Sequence, residues 1–238
     1  MTHAQPLKQE EMRAAAFDVA GVAFVADLSG ALFWEAQRLL VVSDLHLEKG
    51  SSFAARGVLL PPYDTAATLS RLAAVIARHD PRMVIALGDS FHDGDGGERM
   101  GEEDLETLGM LQEDCEWIWV TGNHDATISP RVGGFVTGAV TVEGINLRHE
   151  PHKGRATHEI AGHLHPAARI SLHGYMLRRA CFVGNGLRLV MPAFGAYTGG
   201  LNVLDEAFQP MFGNDGMRVW MLGQEGLYPV ATRLLREE

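Results

Sequence analysis

The chain has 238 residues, a formal net charge of −10, 46% hydrophobic and 21% charged residues. That length is enough for one sizeable core, read here as a single domain over 1–238, and the composition excludes a disordered or fibrous chain. The charge excludes a broad basic footprint, because general nucleic-acid binding draws its affinity from Lys and Arg neutralising phosphates.

The segment from Met1 to Glu11 lacks the basic flank and apolar run of a signal peptide, and no later apolar run is long enough to span a bilayer. A cytoplasmic protein with no membrane association is expected. Cys115 and Cys181 are the two cysteines, which predicts two buried, reduced thiols rather than a disulfide framework.

In chain order, Ala31–Trp34 and Leu39–Val42 read as strands. The second is a continuous apolar run of the kind buried on both faces of a sheet, ending at Ser43-Asp44. Pro61-Pro62-Tyr63-Asp64 supplies breakers and a helix N-cap, and Leu69, Leu72, Ala73 and Ile76 recur at helical spacing up to His79-Asp80-Pro81. Met83–Leu87 is another buried strand, closing on Gly88-Asp89. An acidic, helical stretch between Asp93 and Glu116 leads to the strand Trp117–Val120 and then Thr121-Gly122-Asn123-His124-Asp125. This alternation implies parallel βαβ units.

After about Pro130 the pattern changes to short strands between glycines: Ala139–Val142, Ile145–Arg148, Glu159–Ala161 and Leu187–Met191. These predict a second, mixed sheet packed on the first with helices outside. The glycine-rich segment 192–200 lacks the order of a phosphate-cradling loop and is read as a tight, buried turn.

Three strands of the first half each deliver a metal-capable group just past their last apolar residue: Asp44 and His46, then Asp89, then Asn123 with His124. Parallel strands place their carboxyl ends on one edge, so residues far apart in sequence converge. In Asp44-Leu45-His46 the alternation of an extended chain would turn both side chains to one face, and His163-Leu164-His165 repeats the spacing. An Asp at a strand end is by itself most often a cap, and Gly-Asn-His-Asp by itself can be a plain turn. The conjunction in chain order, each piece at the end of an apolar run, carries the metal reading. Mixed oxygen and imidazole ligands suit Mn²⁺, Fe or Zn²⁺, and there are too many for one ion. Two ions roughly 3.5–4 Å apart form the clamp that assists phosphoryl displacement.

Asp44-x-His46, Gly88-Asp89, Gly122-Asn123-His124-Asp125 and Gly162-His163-x-His165, in that order, resemble the calcineurin-like metallophosphoesterase superfamily. The resemblance implies an α/β fold, a four-layer αββα sandwich of two mixed sheets flanked by helices. It implies two divalent metal ions, manganese first with iron or zinc as alternatives, with Asp44, His46 and His165 on one, Asn123 and His163 on the other, and Asp89 bridging. It assigns His149 to the second ion, with His152 and His158 competing for that role. His124 would meet the phosphate and protonate the leaving oxygen, and Asp125 would orient it. The chain departs from the family pattern at His92, where Asp is usual.

Asp44–Phe53, Pro61–Asp64, Ile160–Pro166 and Met191–Leu201 are similar to the bacterial ligase-associated DNA-damage-response phosphoesterases. That similarity implies a hydrolase acting on phosphodiester bonds, a nuclease or phosphodiesterase with DNA as substrate, working in DNA repair beside a DNA ligase, a helicase and an exonuclease. Arg56, Arg148 and Arg155 are available to hold a phosphate. A phosphatase or diesterase for small nucleotides, and a non-catalytic docking scaffold, are the alternatives.

Overall fold

The computed structural model describes residues 14–212 and 216–237. The first sheet runs in spatial order β1 (Ala14–Val19), β2 (Val22–Asp27), β3 (Leu32–Trp34), β4 (Leu39–Val42), β5 (Met83–Leu87), β6 (Glu116–Val120) and β7 (Phe135–Thr137). Its first four strands pair antiparallel and β4 through β7 pair parallel. Every residue of β4 is buried. Leu40 and Val42 face a helical layer while Leu39 and Val41 face the second sheet, the two-sided burial that the unbroken apolar run predicts.

The helical layer consists of α1 (Lys49–Ala55), α2 (Asp64–His79), α3 (Gly96–Arg99) and α4 (Glu102–Gln112). Leu69, Leu72 and Val75 of α2 and Leu108 of α4 bury one apolar stripe on the sheet, against Trp117 and Trp119 of β6. At its end Asp80 adopts a left-handed conformation, φ 46°, directly before Pro81. Asp64 is the first helical residue rather than its cap: Tyr63 precedes it without a side-chain cap bond, and the Asp64 carboxylate accepts the amide of Gly50 at 3.1 Å. The acidic stretch divides into α3 and α4 at Met100-Gly101.

The second sheet contains β8 (Ala139–Val142), β9 (Ile145–Arg148), β10 (Glu159–Ala161), β11 (Pro166–Leu172), β12 (Tyr175–Gly184), β13 (Arg188–Val190), β14 (Leu201–Asn202), β15 (Arg218–Leu222) and β16 (Leu227–Val230). Its path is β14-β11-β12-β13-β10-β9-β8, with β15 attached to β12 and β16 to β15. Ile145, Leu147, Ile160, Phe182 and Leu189 meet Val41, Ile85, Leu87 and Val120 in one core between the sheets. Outside the second sheet, Phe208 with Met211 and Phe212 of α5 (Gln209–Phe212) cover Cys181, Val183 and Val219. Together these are two mixed sheets flanked by helices in an α/β sandwich, with a thin outer layer on the second sheet. Cys181 is buried, whereas Cys115 is only half-buried, and both are free.

Two buried carboxylates of the scaffold are matched by cations. The carboxylate of Asp27 accepts from Arg78, from His79 at 3.0 Å and from the amide of Ser29 at 2.8 Å. Arg188, 1% exposed, pairs with Glu159 and donates to the carbonyls of His152 at 2.8 Å and Gly154 at 2.7 Å, pinning the β9–β10 loop. Among the described residues no helix is long and apolar enough to cross a membrane.

Candidate metal centre

Strands β4, β5 and β6 are parallel and in register, so their carboxyl ends form one edge; β9 and β10, also parallel, end beside it. Asp44 and His46 follow β4, Asp89 follows β5, Asn123 and His124 follow β6, His149 follows β9, and His163 and His165 follow β10. The backbone there is not extended. Asp44, His46, Asp89, His163 and His165 have φ of 53°, 44°, 45°, 71° and 44°. The two-residue spacing therefore brings side chains together through left-handed turns, not through strand alternation. Each such residue costs roughly 1–3 kcal/mol and persists only where its surroundings hold it. Here the amide of His46 donates to the Asp89 carbonyl at 2.9 Å, that of Leu47 to Ser90 at 2.8 Å, and that of Gly195 to Asp44 at 3.1 Å. The segment 192–200 is thus a brace behind the Asp44 loop; Pro192, Phe194 and Gly195 are buried, Ala193 is half-buried, and Ala196 and Tyr197 are exposed.

Close approach explains two motif glycines. A Cβ on Gly122 would lie 2.1 Å from Asp89 Oδ1, and one on Gly162 would lie 2.5 Å from Asp44 Oδ2.

The side chains converge in two groups. Asp44, His46 and His165 form one, with His165 Nε2 at 3.2 Å from both Asp44 Oδ1 and His46 Nε2. Asp89, His149 and His163 form the other, with His149 Nε2 at 3.4 Å from Asp89 Oδ1 and 3.1 Å from His163 Nδ1. Asn123 Oδ1 joins the second at 2.9 Å from His149 Nε2. The other oxygen of Asp89 lies 3.9 Å from His46 Nε2, so this one carboxylate stands between the groups. His152 and His158, the competitors of His149, are exposed and enter only through backbone hydrogen bonds.

These donors fit a cation. The Leu87 carbonyl only accepts, so His149 Nδ1 carries the hydrogen of their 2.9 Å bond and Nε2 offers a lone pair. That lone pair faces Asn123 Oδ1 and Asp89 Oδ1, acceptor against acceptor. Burial alone would lower the His149 pKa, but the Asp89 hydrogen bond and the Asp44 and Asp89 charges push it up to about 9: a proton takes up the position that suits a cation. His46 goes the other way, held down to about 3 by burial against the pull of Asp44. Burial would raise Asp89, yet its bond to His149 and the His149 charge hold it near 2, ionised as a ligand must be.

His124 sits at the mouth, its side chain 42% exposed and its Nε2 4.0 Å from Asp89 Oδ2. Its Nδ1 donates to the His92 carbonyl at 3.0 Å, leaving Nε2 directed to whatever binds there. The expected orienting role of Asp125 is corrected by this contact. The Asp125 carboxylate, fully buried, instead accepts the amides of Gly122 at 2.8 Å, Asp89 at 3.1 Å, Ser90 at 2.6 Å and Phe91 at 3.1 Å. It ties the turn after β6 to the turn after β5, so it places Asp89 and not the His124 ring. The His92 ring, whose role sequence reading left open, groups with His46 and His124 and stacks on His124, centroids 5.4 Å apart. Arg56 lies 4.0 Å from Asp93 beside this mouth. Arg148 and Arg155 line a separate cleft of about 330 Å³ with Asn146 and His152.

The sequence profile of calcineurin-like phosphoesterases matches residues 37–182, more than half of the chain. The chain belongs to that family, which implies a metal-dependent phosphoesterase. A crystal structure of the nuclease MPE of Pseudomonas putida is similar to it, with TM-score 0.69 and 28% identity over 91% of this chain and all of that one. Two other solved structures align with TM-scores below 0.5. Yfce, a phosphoesterase from E. coli, gives 0.39 at 16% identity over 81% of this chain and 98% of its own. The Aquifex aeolicus protein AQ665, of unknown function, gives 0.36 at 18% identity over 53% and 78%. No curated protein matches the chain.

Proposed function

We propose that this protein is a dinuclear phosphodiesterase that cuts nucleic acid, with DNA as its substrate. The observation that carries this reading is the Asp89 carboxylate standing between two ligand groups, 3.4 Å from His149 on one side and 3.9 Å from His46 on the other. Asp44, His46 and His165 would hold one ion and Asn123, His149 and His163 the other, with Asp89 shared. Bound there, divalent ions polarise a phosphoryl oxygen and activate water. Oxygen and imidazole ligands without thiolate suit manganese, iron or zinc alike, and the family resemblance favours manganese among them.

The remaining chemistry falls to the protein. The His92 carbonyl keeps the hydrogen of His124 on Nδ1, so the exchangeable proton is on Nε2, facing the mouth. A protonated His124 there gives that proton to the departing alkoxide oxygen, a step worth about 10²–10⁴-fold. Asp125, through four backbone amides, keeps Asp89 and Gly122 in the positions this requires.

The nuclease reading is supported by the likeness to MPE and by the motif resemblance, which also favours a place in DNA repair beside a ligase, a helicase and an exonuclease. The net charge of −10 favours gripping a substrate by local contacts rather than a broad basic surface. The test is metal analysis of the purified protein together with hydrolysis of a chromogenic phosphodiester and of oligonucleotides, with and without Mn²⁺. Divalent-dependent cleavage of both is expected. Hydrolysis of small diesters with no cut in any DNA form would favour the small-nucleotide alternative, and indifference to every divalent ion would overturn the proposal.

A further inference from the structure

Helix α1 places Lys49 and Phe53 four residues apart, one above the other on a single face, and Arg56 follows as the residue that caps its end, three past Phe53. That face borders the mouth of the metal centre. The Phe53 ring lies 5.6 Å from the His92 ring, tilted 33°, and the His92 ring lies 5.4 Å from His124 at 27°. Three flat rings therefore step outward from the residue proposed to meet the leaving oxygen. Phe53 ends the row, half-buried next to the exposed Ala54, Ala55 and Arg56. Lys49 Nζ spends one donor on the Tyr197 carbonyl at 2.8 Å, and Arg56, its side chain 64% exposed, reaches Asp93 only at 4.0 Å. Both cations keep donors for a further anion.

We infer that this face of α1 is a substrate platform: Phe53 stacks on the nucleobase next to the scissile phosphate, and Lys49 and Arg56 hold the flanking phosphates. A flat hydrocarbon ring with one cation a helical turn before it and another three residues after it matches the alternation of base and phosphate along a strand. The inference rests on the phosphodiesterase reading and adds to it the group that selects nucleotides over simple diesters.

The test uses the full chain, loaded with Mn²⁺, on two diesters sharing a nitrophenolate leaving group: methyl 4-nitrophenyl phosphate and thymidine 5′-(4-nitrophenyl phosphate). Phe53→Ala is expected to raise KM for the thymidine diester by about 5- to 150-fold, the range spanned by stacking of one base. It leaves kcat/KM for the methyl diester within about twofold, and Phe53→Tyr restores the difference. Phe53→Trp gives a readout independent of turnover, since its fluorescence is quenched on titration with oligothymidylate in a His124→Ala background. Lys49→Ala and Arg56→Ala each flatten the salt dependence of that binding by about 0.7 in log–log slope, as loss of one single-strand phosphate contact does.

If Phe53→Ala lowers both diesters alike, the ring only props His92 and the inference fails. It fails equally if the thymidine diester is unaffected or the Trp variant is not quenched. A wild-type enzyme inactive on both diesters would overturn the phosphodiesterase reading, and the platform with it. Activity on both with no discrimination by Phe53 overturns the platform alone.

Discussion

The Asp27 cluster and the metal centre both bury carboxylates beside histidines, yet they are completed in opposite ways. Around Asp27 every oxygen meets a hydrogen, from Arg78, His79 and the Ser29 amide. In the metal centre, His46 Nε2 faces His165 Nε2 at 3.2 Å, and His149 Nε2 faces Asn123 Oδ1 at 2.9 Å. These are atoms that each have a lone pair to offer, and a proton or a cation must stand between them. A polar group without a partner is expensive to bury, so the first arrangement is finished by folding and the second by a cation. The contrast teaches which of two chemically similar clusters does structural work, and changes in each should have separable consequences.

The largest effect is expected at the mouth. His124→Ala should lower cleavage of an oligonucleotide by about 10²–10⁴-fold with metal content unchanged, and should matter less for an aryl diester, whose leaving oxygen departs without a proton. Steady-state kinetics on both substrates, with metal analysis of the variant, check this. Loss of bound metal in the variant would instead make His124 a ligand.

Asp27→Asn comes next and should act on stability alone. Arg78 is 43% exposed, so what is lost is the charge on a set of hydrogen bonds rather than half of a fully buried pair; that costs about 1.5–3 kcal/mol, which for a chain of this size lowers Tm by roughly 3–12 °C. Burial would raise the Asp27 carboxyl, but the His79, Ser29 and Arg78 bonds outweigh it and hold it well below the usual carboxylate range. Its contribution is therefore complete above the unfolded pKa of about 4 and disappears as pH falls below that. Acid titration of Tm should show a loss in that window for the wild type that the Asn variant lacks, at unchanged metal affinity.

Gly122→Ala sharpens the comparison from the other side. Its Cβ would meet Asp89 Oδ1 at 2.1 Å and force that carboxylate aside. Metal affinity should fall by about 10- to 100-fold, the usual range for displaced support of a ligand, as isothermal titration would show. The smallest effect belongs to Asp205, whose carboxylate caps the turn Glu206–Phe208 by accepting the Ala207 amide at 2.9 Å. Asp205→Ala should cost about 1 kcal/mol in thermal melts and leave metal binding untouched.

Much of the fold and of this site is legible in the sequence. Strands β4, β5 and β6 declare themselves as apolar runs because burial on both faces leaves no room for polar residues. Asp44, Asp89 and Asn123 could be placed together because parallel strands share an edge. What escaped is local. The hairpin of β1 and β2 turns on Ala20-Gly21, a short signal between alanine-rich strands. Helix α1 has seven residues, includes Gly50, Ser51 and Ser52, and has no side-chain cap, so nothing in its composition marks it. The left-handed turns at Asp44, His46, His163 and His165 oppose the intrinsic preference of those residues and are imposed by tertiary hydrogen bonds. Asp125 shows the same limit: the family resemblance implies that it orients His124, whereas the turn aims its oxygens at amides of a different strand's loop.

The central claim is that Asp89 is shared by two cations, one in each ligand group. Anomalous diffraction at the manganese edge from crystals grown with Mn²⁺ tests it directly. The account predicts two peaks on opposite sides of the Asp89 carboxylate, one within reach of Asp44, His46 and His165, the other of Asn123, His149 and His163. A single peak, or manganese bound away from Asp89, would contradict it.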